Sequence, residues 1–89
     1  MARVEFAAAL QRHVHCAAQQ VEARTVREAL DAVFAQQGAL RSYVLDDQAA
    51  LRRHVAIFID GEQLRDRRQL SDRVHADAQI YVVQALSGG

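Results

Sequence analysis

Hydrophobic and polar residues alternate over short stretches near both ends of the chain. Close to the start, apolar side chains occupy every second position from Val4 to Leu10, which predicts a strand that buries one face. A second strand is predicted somewhere within residues 14–22, where two alternating phases compete and leave the register open. Near the end, residues 79–83 alternate again and predict a final strand with Ile80 and Val82 on one face.

A helix is predicted after the second strand. It begins with a capping box, Thr25-Val26-Arg27-Glu28, in which the Thr25 hydroxyl and the Glu28 carboxylate accept hydrogen bonds from unpaired amides at the helix start. The apolar residues that follow have helical spacing and form one stripe: Val26, Ala29, Leu30, Val33 and Phe34. Gly38 is predicted to end the helix as a C′ glycine. A helix with one apolar stripe packs that stripe against one apolar surface, and the predicted strands can supply this surface.

One more strand is predicted between the helix and the last strand. Residues 40–44 predict a short helical turn, and a polar linker follows through Asp46-Asp47-Gln48. The run from Val55 to Ile59 is apolar on both faces, which fits a central strand covered in part on each side. Directly after it, Asp60-Gly61 predicts a tight turn. Residues 62–78 are rich in Arg and Asp and predict an irregular, solvated connection. Its three apolar anchors are Leu64, Leu70 and Val74.

The order of these elements predicts the fold. The link between the first two strands is short, so they can pair as an antiparallel hairpin, and the last strand is apolar enough to require a central place beside the first. A single helix packed across a small mixed sheet of this order is an α+β fold of the β-grasp, or ubiquitin-like, type. Because 89 residues can bury only one modest core, we expect one domain over residues 1–89, with a flexible C-terminal tail over residues 84–89.

The end of the chain carries the most unusual pattern. The last strand leads through Gln84-Ala85-Leu86-Ser87 into Gly88-Gly89, two residues without side chains. Such a tail is narrow enough to pass through a channel that excludes a Cβ atom, so it can present the α-carboxylate of Gly89 to the active site of another protein. The alternative is a frayed terminus without a function, because chain ends are commonly disordered.

Composition narrows the function classes. Eleven arginines balance eleven acidic residues, and the zero net charge gives no argument for nucleic acid or a membrane surface as a partner. No apolar run approaches bilayer length and no secretory pattern is seen, so we expect a cytoplasmic protein. The single cysteine, Cys16, excludes an intramolecular disulfide and a metal cage of cysteines alone. The chain has no lysine and therefore no side-chain amine for isopeptide bonds, although a codon bias toward arginine also explains this.

Histidine and cysteine residues suggest a metal site, since imidazole and thiolate are zinc ligands. The candidates are His13, His15, Cys16, His54 and His75. On a strand, His13 and His15 share one face and Cys16 points to the other, and the spacing fits no usual zinc motif, so we expect no metal site.

Two charged groups are further candidate sites. The carboxylates of Asp46-Asp47 could serve acid–base chemistry, but adjacent side chains in a linker diverge. The run Arg65-Asp66-Arg67-Arg68 could form a docking or nucleic-acid patch, but its mixed charges favour a solvated loop. Neither group predicts an active site.

Four motifs, in order along nearly the whole chain, match a known pattern. An F-A-x-L-R first strand is similar to Phe6-Ala7-Ala8-Ala9-Leu10-Gln11-Arg12, and a T-V-x-E-L-L helix start is similar to Thr25-Val26-Arg27-Glu28-Ala29-Leu30. A V-F-V-N-G-E hairpin is similar to Ile57-Phe58-Ile59-Asp60-Gly61-Glu62. An I-x-P-V-A/S-G-G ending is similar to the stretch from Ile80 to Gly89. The chain thereby resembles the MoaD/ThiS-type ubiquitin-like sulfur carriers. It departs from their pattern at Gln84, where many members have proline, and it lacks the glycine-rich loop often seen after the first strand. The long linker over residues 44–54 is closer to the variant that serves cysteine biosynthesis than to the shorter molybdopterin synthase subunit.

The resemblance implies a carrier protein and not an enzyme. An E1-like adenylyltransferase/sulfurtransferase would adenylate the Gly89 carboxylate with ATP, and a sulfur source would displace AMP to leave a thiocarboxylate. A sulfur-accepting synthase or a similar enzyme of cysteine, molybdopterin or thiamin type biosynthesis would then receive the sulfur. Leu86, together with the exposed sheet face, would dock the partner, unless Leu86 folds back on the core. Ser87 and Gly88 would position the tail. The chain itself would bind no cofactor, metal, nucleic acid or membrane.

The sequence is also compatible with two other function classes. A protein modifier would use the same activated Gly89 to form an amide with a target lysine. A β-grasp domain that only binds other proteins would use no terminal chemistry. The fold alone does not distinguish among these classes.

Overall fold

The structure is a computed structural model that describes residues 1–11 and 17–84 of the chain. Within these residues the elements are, in order, β1 (Ala2–Phe6), α1 (Ala8–Gln11), β2 (Gln19–Val21), α2 (Val26–Gln36), a 3-10 turn (Gly38–Leu40), α3 (Arg41–Val44), β3 (Val55–Ile59), β4 (Glu62–Gln63) and β5 (Gln79–Gln84). The predicted second strand, helix, helical turn, third strand and last strand are all confirmed.

The strands form one mixed sheet in the order β2-β1-β5-β3-β4. β1 pairs antiparallel with β2 and parallel with β5, while β5 pairs antiparallel with β3. Val82 in the middle of β5 therefore has Phe6 of β1 on one side and Ile57 of β3 on the other. The last strand is central and adjoins the first, as predicted. With α2 packed across the sheet, this is the β-grasp arrangement and confirms the predicted α+β fold.

The core lies between α2 and one face of the sheet. The helix contributes its whole apolar stripe, which is buried: Val26, Ala29, Leu30, Val33 and Phe34. The sheet contributes alternate residues of its central strands, also buried: Val4, Phe6, Val55, Ile57, Ile80 and Val82. No polar or charged residue is buried in the part of the chain that the structure describes. Removal of these apolar side chains from water is the main stabilising term of the fold.

The start of α2 is capped nearly as predicted. The Thr25 hydroxyl accepts a hydrogen bond of 3.2 Å from the N–H of Glu28, which satisfies one of the free amides of the first turn. The Glu28 carboxylate accepts from the N–H of Arg24 at 2.8 Å, one residue before the position that a standard capping box uses. The N–H of Val26 donates to the carbonyl of Asp72 at 3.0 Å, so the helix start is also joined to the connection before β5.

The prediction that the first strand continues to Leu10 is wrong. The N–H of Ala7 still donates to the Val82 carbonyl at 2.9 Å, and the chain then turns into the short helix α1. Leu10 donates from its N–H to the Ala7 carbonyl at 3.0 Å and is buried. Alanine strongly favours helix, so alternation maintained by alanines alone does not specify a strand.

The prediction for Gly38 is confirmed in its position just past the C-cap of the helix, but not in its conformation. The helix ends at Gln36, and the N–H of Gln37 donates to the Val33 carbonyl at 2.9 Å. Gly38 then begins the 3-10 turn, and its φ is not positive, so it is not the left-handed C′ glycine that the sequence suggests. The buried side chain of Leu40 anchors this turn on the core.

The connection over residues 62–78 contains a short strand that the sequence did not reveal. Asp60 and Gly61 have φ values of 51° and 86°, the left-handed pair that a two-residue hairpin turn requires, and β4 pairs with β3 directly after them. The strand is only two residues long and both are exposed, so it shows no alternation. The three predicted anchors, Leu64, Leu70 and Val74, are all buried.

The mixed-charge run is a loop, as predicted, but one carboxylate organises it. Asp66 accepts hydrogen bonds from the N–H groups of Arg68 (3.1 Å), Gln69 (3.0 Å) and Ser71 (3.3 Å) and from the Ser71 hydroxyl. These donors favour the ionised carboxylate. The N–H of Gln69 first, and then the Ser71 hydroxyl, lower the pKa of Asp66 to about 2.

This shift predicts how stability depends on pH. Because the pKa of Asp66 is lower in the folded than in the unfolded protein, the ionised carboxylate stabilises the fold above about pH 4, and this contribution is lost as the pH falls toward 2. We expect the difference in free energy of unfolding between the wild type and Asp66→Asn to shrink over that interval, measured by urea denaturation. Ser71→Ala should shift the loss to higher pH. A difference that stays constant from pH 5 to pH 2 would contradict the assignment.

Candidate functional site

The sheet face opposite α2 carries a group of exposed or partly exposed apolar side chains, which we call the apolar patch: Ala56, Phe58, Tyr81 and Val83. Tyr81 is 42% exposed, although it lies on the central strand. The strand register places Tyr81 beside Phe58 and Val83 beside Ala56. Directly opposed residues on one face lie within contact range, so the four side chains form one continuous surface.

Polar residues border the apolar patch on both sides. Glu5 of β1 is opposite Tyr81, and Gln63 of β4 is opposite Phe58. Arg3 pairs with Glu5 at 3.8 Å, and both side chains are about half exposed. An apolar centre with a polar border is the usual composition of a protein–protein interface.

The C-terminal tail starts at one end of the apolar patch. β5 ends at Gln84, which is opposite Val55 at the start of β3 and follows directly after Val83 of the patch. Gln84, the first residue of the predicted tail, is therefore still paired within the sheet. The four predicted site residues, Leu86, Ser87, Gly88 and Gly89, lie outside the described residues, so the structure places the root of the tail and their roles stay predictions.

A turn that sequence reasoning missed lies beside this root. Arg53 and His54 form an exposed turn that leads directly into Val55. The guanidinium of Arg67 donates to the carbonyls of Arg52 at 2.7 Å and Val55 at 2.8 Å, and so binds the backbone on both sides of the turn. The only sequence signal was the position of Arg53-His54 immediately before an apolar strand that pairs with the last one.

The histidines that suggested a metal site are not brought together where the structure describes them. His54 lies at the start of β3, and His75 lies near its other end, where Nε2 is 2.7 Å from Asp60 Oδ2. His13, His15 and Cys16 lie outside the described residues. Within residues 1–11 and 17–84, no group of three histidine, cysteine, aspartate or glutamate side chains could hold a metal ion.

Two further carboxylates, those of Asp46 and Asp60, have local structural roles. Asp46 Oδ1 accepts from the N–H groups of Gln48 (2.9 Å) and Ala50 (3.0 Å) and thereby closes the linker loop. Asp60 Oδ1 accepts from the N–H of Gln79 at 2.9 Å. This bond, with a smaller contribution from His75, holds the pKa of Asp60 below its usual value. Such bonds fix turns and leave no carboxylate poised for catalysis at these two positions.

The sequence matches the model of the ThiS family over residues 4–89. The chain belongs to the ThiS family. The match extends through the apolar patch, the end of β5 and the diglycine, and it places the chain among the ubiquitin-like carrier proteins. Among curated protein sequences, none matches this chain.

Solved structures support the ThiS-family fold. SAMP1 from Haloferax volcanii is 25% identical and has a TM-score of 0.81, with 99% of this chain and 98% of that chain covered. A chain of the Amycolatopsis orientalis BexX/CysO complex is 19% identical, with full coverage of both chains and a TM-score of 0.83. CysO from Mycobacterium tuberculosis is 16% identical, with 97% and 100% coverage and a TM-score of 0.80. The last two identities are too low to show more than the shared fold.

The helices of this ThiS-family chain are short. α2 has 11 residues, and no helix within residues 1–11 and 17–84 is long and apolar enough to cross a membrane.

Proposed function

We propose that this chain is a sulfur carrier whose working group is the α-carboxylate of Gly89. The observation that carries the proposal is the end of β5: the central strand ends beside the apolar patch, and five residues lead from Gln84 to Gly89. Residues 1–89 would form one domain whose tail leaves the sheet at this point. Five extended residues reach about 17 Å, which is enough to bring the carboxylate into the interior of a partner enzyme.

The chemistry would take place in the partner. An E1-like enzyme would use ATP to convert the Gly89 carboxylate to an acyl-adenylate and release pyrophosphate. A sulfide-level sulfur nucleophile would then attack the acyl carbon and displace AMP, which leaves a thiocarboxylate. The carrier would act in the cytoplasm as a substrate and would bind no cofactor of its own. A biosynthetic pathway of the cysteine, molybdopterin or thiamin type would receive the sulfur.

The apolar patch would hold the carrier on this partner. Tyr81 and Phe58 are large apolar side chains at its centre, and aromatic residues are enriched among the residues that contribute most to binding. The patch adjoins the start of the tail, so docking there would aim the chain toward the active site. Leu86, Ser87 and Gly88 would line the entrance channel, and the two glycines would pass its narrowest part.

A second candidate is a protein modifier that uses the same activated Gly89 to form an amide with a target lysine. The observation in its favour is the 25% identity with SAMP1, which a related structure describes as small archaeal modifier protein 1. The absence of lysine means that such a modifier could not form chains linked through its own side chains.

Intact-mass spectrometry of the protein purified from its own host tests these alternatives. A gain of about 16 Da, sulfur replacing oxygen, indicates a sulfur carrier. High-mass conjugates that react with an antibody against this chain indicate a modifier. An unmodified mass, together with a Gly89 deletion that has no phenotype, would contradict both and leave a domain that only binds other proteins.

A further inference from the structure

The turn that leads into β3 presents positive charge near Gln84, the last residue that the structure describes. Val55, the first residue of β3, is opposite Gln84, the last residue of β5. Arg53 and His54 come immediately before Val55 and are exposed. They therefore lie at the end of the sheet from which the tail leaves. We call Arg53 and His54 the basic rim.

The fold holds the basic rim in a defined position. The N–H of Val55 donates to the Arg52 carbonyl at 3.0 Å, which closes the turn. Arg67 binds the carbonyls on both sides of it, and its guanidinium is partly buried there. Both bonds come from one terminal nitrogen, Nη2, whose two N–H groups can each donate to one carbonyl. The backbone under the rim is thus fixed relative to the start of the tail.

The charge of the basic rim has no internal partner where the structure is described. Within residues 1–11 and 17–84, Arg53 and His54 form no ion pair with a carboxylate, and neither do Arg52 and Arg67. At the other end of β3, by contrast, His75 is paired with Asp60.

We propose that the basic rim binds acidic residues at the mouth of the partner channel that receives the tail. The proposal rests on the proposed function, because it requires a partner that takes up the tail. An extended tail places Gly89 about 17 Å from its root, so the rim would touch the channel entrance and not the reacting atoms. Arg53 would therefore be a positioning residue. Opposite charges at the border of an interface mainly accelerate association of the two proteins and fix their relative orientation. Salt weakens the attraction between such charges.

Charge reversal at Arg53 tests this proposal. The assay would be ATP–pyrophosphate exchange by an E1-like enzyme encoded in the same genome, with the wild-type chain measured first. We expect Arg53→Glu to raise the KM for the carrier about tenfold at low salt, with kcat and the KM for ATP unchanged. Added salt should raise the wild-type KM and narrow this difference. Arg53→Lys, which retains the charge, should restore most of the affinity.

Arg73→Glu is the matched control, because Arg73 is exposed and pairs with Thr25 at the start of α2, away from the tail root. It should behave like the wild type. Equal KM values for Arg53→Glu and Arg73→Glu would overturn the proposal, and a changed KM for ATP would place Arg53 at the nucleotide instead. If the wild-type chain itself supports no exchange, the proposed function fails, which is a different result from failure of the rim alone.

Discussion

Adding one alanine after Gly89 is expected to abolish activation of the protein while leaving its fold intact. The extension converts the Gly89 carboxylate into an amide and moves the terminal carboxylate by one residue, about 3.5 Å. It also introduces a Cβ where only glycine is expected to fit. A misplacement of about 1 Å can cost on the order of a hundredfold in rate, so exchange activity should fall below detection. The measurement is ATP–pyrophosphate exchange with purified proteins of verified mass.

The control is the same alanine placed before Met1. β1 runs parallel to β5, so Met1 lies near the start of β5, at the end of the sheet opposite the tail root. This variant should be activated normally, and both variants should unfold at the same denaturant concentration as the wild type. Normal activation of the C-terminally extended chain, with the added residue still attached, would show that the terminal carboxylate of Gly89 is not the reactive group.

Tyr81→Ala is expected to weaken docking on the activating enzyme by about 2 kcal/mol, a rise in KM for the carrier of about thirtyfold. Tyr81 is the most exposed member of the apolar patch and lies between Glu5 and Phe58 in neighbouring strands. Removal of its ring deletes the largest apolar contact surface next to the tail. The kcat should change little, because the tail still reaches the reacting centre once the carrier is bound.

Tyr43→Ala is the matched control for this substitution. Tyr43 lies on α3, outside the sheet, and is 38% exposed, close to the 42% of Tyr81. Replacement of Tyr43 should leave the KM for the carrier within about twofold of the wild-type value. If Tyr81 contacts the enzyme, its replacement should raise that KM about thirtyfold. Equal KM values for the two alanine variants would exclude the apolar patch as the docking surface. Urea denaturation of both variants would verify that each remains folded.

Much of the fold could be predicted because its strongest signals are local. The stripe of α2 follows helical spacing, and all five of its residues are buried. The central place of β5 followed from its apolar alternation, since a strand at the edge would leave Ile80 and Val82 less well covered. The Asp60-Gly61 turn was equally readable, because only a few residue pairs accept two positive φ angles.

The errors arose where residue type and pattern did not determine structure. Alternation over Ala8 and Leu10 was compatible with both strand and helix, and alanine favoured the helix. β4 was too short to show a period. The network around Asp66 joins a side chain to amides up to five residues away, which depends on the backbone path of the loop.

The candidate site also has one part that the sequence predicts and one part that it does not. The diglycine and its terminal carboxylate were predicted from the last two sequence positions, because glycine is the narrowest residue, and their role stays a prediction. The basic rim could not be predicted, since Arg53 lies near Gln84 only through the pairing of Val55 with Gln84. In addition, Arg67 binds the turn from a position 12 residues beyond Val55. The pairing of β3 with β5 brings Arg53 close to Gln84, and a single sequence does not specify the register of strands that are far apart along the chain.

A sulfur carrier of the proposed type bears its sulfur on the terminal carbonyl carbon of Gly89. Fragmentation of the intact protein in the mass spectrometer, after reaction with its activating enzyme, ATP and a sulfur source, would locate the added mass. We predict a gain of about 16 Da confined to fragments that contain Gly89, as expected for a terminal thiocarboxylate. A gain of about 32 Da on fragments that contain Cys16, as a persulfide would give, with Gly89 unmodified, would contradict it.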